Sequence, residues 1–284
     1  MHNQIMQNTE EWKEMRRTKI GASDAPVIMG VSPWRTPYQL WQEKLAMKSW
    51  KENSAMRRGH NLESKAIEKL EHLTGELFSP KVIFHRTYEW MMASLDGMNV
   101  EGNKIAEVKC AGKVDHEKAM NGEVPEKYIP QLQHQMEVAQ VENAIYFSFD
   151  GDNGVIVNVY RDDKYIKKML SKEKEFYECM QELIAPDLTE KDYEMKSSEI
   201  WNEVSEEWKR ISSQIFHLQK LEKGLRELLV RQCQDKNSIG NGITVSKILR
   251  KGNIDYSKVP ELKNVNLEQY RGDNIEFWKI CNSK

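Results

Sequence analysis

The sequence predicts an α/β fold: a central mixed β-sheet flanked by helices, then a mostly helical C-terminal extension with a small strand unit. Three observations carry this. Alternating and β-branched runs mark strands near residues 81–86, 89–95, 104–110, 144–150 and 154–161. A helical segment at about 129–141 separates the third strand from the fourth, and strand, crossover helix, strand gives a mixed sheet with helices on its faces. From about residue 190 the chain is charged, with apolar residues recurring at helical spacing.

Helices come first, at 8–18, from 24 to 30 and from Thr36 to Lys48, with Trp34 and Trp41 as core or wall residues. A longer helix spans 55–74, where Leu62, Ala66 and Leu70 form the buried stripe and Thr74-Gly75 ends it. Gly102-Asn103 supplies the turn between the second and third strands. A helix at 163–184 closes the domain, and Ala185-Pro186-Asp187-Leu188-Thr189 interrupts the pattern, dividing the chain into 1–186 and 187–284. Beyond it, Ile200, Val204, Trp208, Ile211, Ile215, Leu218, Leu221, Leu225 and Leu228 form a stripe that fits a helical hairpin or a coiled-coil seam. Lys220, Lys223, Arg226 and Arg231 suit that helix to a partner or to DNA. Asn237 to Gly242 is a turn-rich break, and the strand unit from Ile243 ends in Tyr270, Phe277 and Trp278.

With 284 residues, 39% hydrophobic and 30% charged, the chain can bury one sizeable core and carry an appendage. A net charge of −2 argues against a protein that coats nucleic acid through a global basic field. Cations can still concentrate along one channel, and Arg16-Arg17, Arg57-Arg58 and Lys164 with Lys167-Lys168 are the candidates. Cys110, Cys179, Cys233 and Cys281 are scattered, without the pairs that hold zinc or the density of a secreted framework, so a reduced, cytoplasmic setting is expected. No apolar run reaches membrane-spanning length, so no membrane partner is expected.

The chemistry centres on Asp96, Glu107 and Lys109. In Ile105-Ala106-Glu107-Val108-Lys109-Cys110, period two turns Glu107 and Lys109 to one face. Asp96 ends the preceding strand, and the turn that follows brings it next to Glu107. Mg2+ takes oxygen ligands, usually one or two carboxylates plus phosphate oxygens and waters, and Asp96 with Glu107 meets that minimum. The Val108 carbonyl is a candidate third oxygen. Lys109 is placed to orient a water or to stabilise charge developing on phosphorus. Taken alone, an acid and a lysine two apart on a strand also describe a solvated face. The surrounding series is more specific.

That series resembles the lambda-exonuclease-like or YqaJ-type viral recombinases of the PD-(D/E)XK nuclease superfamily. It runs from Arg16 through Gly21-Ala22-Ser23-Asp24, Arg58-Gly59-His60-Asn61-Leu62-Glu63, Asp96 and Glu107-Val108-Lys109 to Gln131-Leu132-Gln133, over roughly residues 10–185. The resemblance implies a PD-(D/E)XK nuclease core with metal ligands Asp96, Glu107 and Glu63, catalytic Lys109, and Gln133 positioning the lysine or the scissile phosphate. It also implies that Arg16 and Ser23 receive a terminal 5′ phosphate, with Arg58 assisting, a role suited to a guanidinium and a hydroxyl near a helix start. On charge pattern alone Arg17 is an equal donor, Glu68 an equal guess for Glu63, and Ser23-Asp24 an ordinary helix cap.

The activity implied is a Mg2+-dependent 5′-to-3′ exonuclease on double-stranded DNA ends, with Mn2+ as substitute, leaving 3′ tails for a single-strand annealing protein. The resemblance further implies a homotrimer in the cytoplasm of a bacterial host, of phage or prophage origin. Two alternatives stay open at this stage: a structure-specific endonuclease of the same superfamily, and a non-catalytic DNA-binding recombination scaffold.

Overall fold

In the computed structural model, residues 7, 9–48, 54–110, 112–262, 265, 267–270 and 272 are described. Phe277, Trp278 and Cys281 lie outside them. The chain divides into two compact units, Met1–Glu194 and Met195–Lys284.

The first unit opens with α1 (Glu10–Thr18), capped by Thr9, whose side chain accepts from the Trp12 N–H at 3.2 Å. The short strand β1 (Ile20–Gly21), a 3-10 turn at Ala22–Asp24 and α2 (Ala25–Ile28) follow. α3 (Pro37–Lys44) carries a Thr36–Gln39 capping box, and α4 spans Ser54–Thr74. Then come β2 (Phe78–Phe84), β3 (Met91–Asn99), β4 (Ile105–Lys109), α5 (Lys113–Met120), α6 (Ile129–Ala139), β5 (Asn143–Phe149), β6 (Gly154–Tyr160) and α7 (Asp163–Gln181).

The strands form one mixed sheet in the order β1-β3-β4-β5-β6, with β2 also paired to β3. β4 and β5 run parallel, joined through α5 and α6, so the expected crossover is present. Leu95, Ile105, Tyr146, Val157 and Val159 pack with Leu132 and Met136 of α6 on one face. Ala106, Val108, Ile145, Phe147 and Phe149 pack with Ala66 and Leu70 of α4 on the other. Glu107 therefore shares its face with Ile105 and looks toward α6.

Three elements differ from the expectation. β3 runs on to Asn99, so Asp96 is a mid-strand residue rather than the last before the turn. Gly97 makes this possible: a Cβ there would meet the Phe78 side chain at 2.8 Å, and β2 packs across the gap. α5 was not anticipated because it buries only His116 and Ala119 and lacks an apolar stripe. Residues 187–194, assigned to the extension from sequence, belong with the first unit, where Thr36 Oγ1 donates to Asp192 Oδ1 at 2.5 Å.

In the second unit, α8 (Glu199–Gln232) is one continuous 34-residue helix capped by Ser198, with no buried residue. Of the two expectations, helical hairpin or coiled-coil seam, the single helix removes the hairpin. The turn-rich break that follows contains a small hairpin, β7 (Ser238–Gly240) and β8 (Ile243–Val245), with Asn241 and Gly242 at φ 47° and 73°.

Candidate active site

The β3/β4 ladder pairs Met98 with Ile105 and Gly97 with Ala106, and ends there. Beyond that point the Val108 N–H is bonded to Asp96 Oδ2 at 2.9 Å. The carboxylate thus takes the place of a ladder partner where the two strands part. Val108 contributes its N–H to Asp96.

Glu107 is 2% exposed and its carboxylate is held on both oxygens. Oε1 receives Gln131 Nε2 at 2.6 Å and the Lys109 ammonium, and Oε2 receives Gln135 Nε2. Lys109 Nζ also lies 5.3 Å from the centre of the Tyr128 ring. Burial alone would lower the Lys109 pKa, but Glu107 and Asp96 outweigh it and hold the ammonium more firmly protonated than usual. Asp96 goes the other way. Burial, then the charge of Glu107, raises its carboxyl well above the ordinary range, and half-buried Glu63 on α4 adds to the push against the pull of Lys109. Two carboxylates thus act on one lysine, and a third, Glu63, bears on Asp96.

Gln133 is the clearest correction. Its Nε2 donates to the Tyr160 carbonyl at 2.9 Å and its Oε1 accepts the Asp162 N–H at 2.9 Å, so it ties α6 to the start of α7 and does not reach Lys109. Helical geometry explains this. Residues two apart lie on nearly opposite sides of a helix, whereas residues four apart share a face. Gln131 and Gln135 are the pair on the Glu107 side, and the spacing Gln131 to Gln135 was the signal that would have found them.

Arg16 and Ser23 do meet: Nη2 donates to Oγ at 2.7 Å, with the guanidinium 4.7 Å from the Trp12 ring centre. Arg17, the equal donor by charge pattern, is bonded instead to Glu14 on the exposed face. Asp24 accepts the Gly21 N–H at 2.8 Å and pairs with buried Lys44 at 2.5 Å. Lys44 Nζ also donates to the carbonyls of Arg16 and Lys19, which fixes the end of α1. Arg58 is placed elsewhere, its Nη2 donating to the Asp150 carbonyl at 2.9 Å in the β5–β6 turn.

Among the described residues no three carboxylate, imidazole or thiol groups close into a ready-made metal cage. A two-carboxylate site completed by phosphate and water needs no such cage. The surplus of negative charge around Asp96 is what a cation would offset, and Gln135 Oε1 adds a buried oxygen without a hydrogen-bond partner beside Glu107. The donor set is all oxygen and fits a hard divalent ion.

The chain is similar to several known proteins. The chain is 31% identical over 175 residues to the uncharacterized protein YqaJ of Bacillus subtilis (strain 168), covering 59% of this chain and 55% of that protein. It therefore spans just over half the length of that curated relative. The crystal structure of LHK-Exo in complex with dAMP is 27% identical, with a TM-score of 0.55 over 62% of this chain and 94% of that one. A second structure of the same protein, an alkaline exonuclease from Laribacter hongkongensis, gives a TM-score of 0.54 with the same coverage. Residues 11–142, which hold Arg16, Ser23, Glu63, Asp96, Glu107, Lys109 and the α6 glutamines, match the YqaJ-like viral recombinase domain. Those residues carry the match to the YqaJ-like viral recombinase domain, and the fold built on them is similar to that of the Laribacter hongkongensis alkaline exonuclease.

Proposed function

We propose that the first unit is a divalent-metal-dependent deoxyribonuclease that digests double-stranded DNA from its ends. The observation that carries the reading is the meeting of Asp96, Glu107 and Lys109 where β3 and β4 part, with more carboxylate than cation. Asp96 and Glu107, with Glu63 adjoining, would hold Mg2+, and Mn2+ would substitute. When bound, such an ion supplies a more acidic water and offsets charge developing on the phosphorus.

The chain's own residues do the rest. Lys109, kept protonated, serves as a fixed positive charge for a phosphate oxygen and not as a base. Gln131 and Gln135 clamp both oxygens of Glu107, so its orientation does not depend on the substrate. Arg16 and Ser23 offer a guanidinium and a hydroxyl to a terminal 5′ phosphate, and this assignment sets the 5′-to-3′ direction. Digestion in that sense leaves a 3′ single-stranded tail, the substrate of a single-strand annealing protein. A homotrimer is the assembly that suits digestion of a long duplex. No described helix is long and apolar enough to cross a membrane.

The test is digestion of linear and closed circular duplexes, with and without Mg2+. Linear DNA lost only with the ion, and circles left intact, support an end-dependent nuclease; cut circles convert the reading to an endonuclease. Comparing 5′-phosphate with 5′-hydroxyl ends, in the parent and in Arg16→Ala, reads the direction. If Arg16→Ala discriminates between those ends as the parent does, the phosphate assignment is wrong.

A further inference from the structure

The site continues outward into an aromatic and cationic ledge that hydrolysis does not use. Tyr128, whose ring lies under Lys109, stacks on Tyr146 at 5.7 Å between centres and meets Trp34 at 6.4 Å and 37°. Lys127 lies between the outer two rings, its ammonium 4.9 Å from the Trp34 centre and 5.2 Å from that of Tyr128. Asp115 pins the arrangement, taking Lys127 at 2.7 Å and the Tyr128 hydroxyl at 3.3 Å.

Two tryptophans, Trp34 before α3 and Trp41 within it, show the contrast. Trp41 is 6% exposed and donates its indole N–H to the Cys179 carbonyl, as a core tryptophan does. Trp34 is 57% exposed, although the loop that bears it is fixed: Ser32 Oγ accepts the N–H groups of Trp34 and Arg35. An indole held in place, backed by an ammonium and open to solvent, has the composition of a base-stacking platform, since every nucleobase offers a π-face and the nearby cation attracts the backbone.

We propose that Trp34, with Lys127 and Tyr128 behind it, stacks on an unpaired nucleobase of the DNA strand lying beside the carboxylate site. The inference rests on the nuclease reading for the identity of the ligand. It adds a determinant that the sequence treated as core or wall.

The experiment measures binding of the full chain, without divalent ion, to end-labelled duplexes with a short unpaired 5′ segment, moving one abasic position stepwise through that segment. The parent should lose about tenfold in affinity at one position, the size expected when one stacked base is removed. Trp34→Ala should bind intact DNA about tenfold more weakly, lose the dependence on that position, and melt at the parent's temperature because the side chain is exposed. Trp34→Phe should recover most of the effect. A flat profile in the parent, absence of binding, or an unchanged profile in Trp34→Ala overturns the proposal. Digestion assayed in parallel separates the two readings: a position-dependent profile without Mg2+-dependent digestion sinks the nuclease and leaves the ledge, and digestion with a flat profile does the reverse.

Discussion

Two aspartates, buried Asp24 and half-buried Asp96, each beside a lysine, behave in opposite ways. Asp24 meets Lys44 at 2.5 Å and has Arg16 nearby; burial opposes its ionisation, but those cations and the Gly21 N–H win, and its carboxyl is held below the usual range. Asp96 has one lysine in reach, shared with Glu107, and with Glu63 also bearing on it its carboxyl is raised. One cluster is electrically complete and serves to join α1, the 3-10 turn and α3. The other is left with unmatched negative charge, which the proposed cation would offset. Charge balance, more than burial or the presence of a lysine, separates the structural carboxylate from the one proposed to bind metal.

The sharpest test substitutes the two lysines alike. Lys109→Met should reduce Mg2+-dependent digestion by about 10²–10³-fold, the loss typical of removing one group that stabilises transition-state charge, while changing stability little, because Asp96 can take up a proton. Lys44→Met should strand Asp24 in the core and cost about 3–5 kcal/mol, read as a shift in a urea unfolding midpoint. Equal losses of stability in the two variants would erase the distinction drawn between the clusters.

Amide substitutions reverse the sign. Asp24→Asn should destabilise, whereas Asp96→Asn should leave the metal-free protein as stable as the parent or more so, and inactive. Added Mg2+ should raise the parent's melting temperature, by the equivalent of about 2.7 kcal/mol at a hundredfold excess over the dissociation constant, and should not move that of Asp96→Asn. A parent unmoved by any divalent ion would remove the case for a metal at Asp96 and Glu107.

The same distinction explains what was legible in the sequence. Glu107 and Lys109 could be read because a strand has one side-chain period and both lie on it. Asp96 could be placed next to Glu107 by hairpin reasoning, yet its bond to the Val108 N–H depends on where the ladder stops, which no local pattern encodes. Gln133 was misplaced because a motif was carried over without its helical phase; Gln135, four residues from Gln131, was the residue facing Glu107. Lys44 and Trp34 escaped for a related reason. A lysine at the end of a short helix and a tryptophan in a loop look like surface and core respectively, and only tertiary packing inverts the two: Lys44 is buried and Trp34 exposed.

The smallest effect expected concerns a third buried pair, and it asks whether the balance rule holds beyond aspartate. His134 and Glu173 are both fully buried, with Nδ1 2.8 Å from Oε1, and Nε2 donating to the Met92 carbonyl at 3.0 Å. Burial disfavours the imidazolium, but Glu173 opposite it prevails and His134 is raised above 6.5. Here a cation answers the carboxylate, as Lys44 and Arg16 answer Asp24, so the pair should stabilise the fold and take no part in catalysis. A group whose folded pKa lies above its unfolded value contributes in full below the unfolded one, and that contribution fades as pH climbs through the folded value. The protein should therefore lose stability from about pH 6.5 upward, measured as unfolding free energy across a pH series. His134→Gln should flatten this slope while leaving the metal-dependent digestion rate in place. A slope that survives the substitution would assign the alkaline loss to other groups and confine the balance rule to the Asp24 cluster.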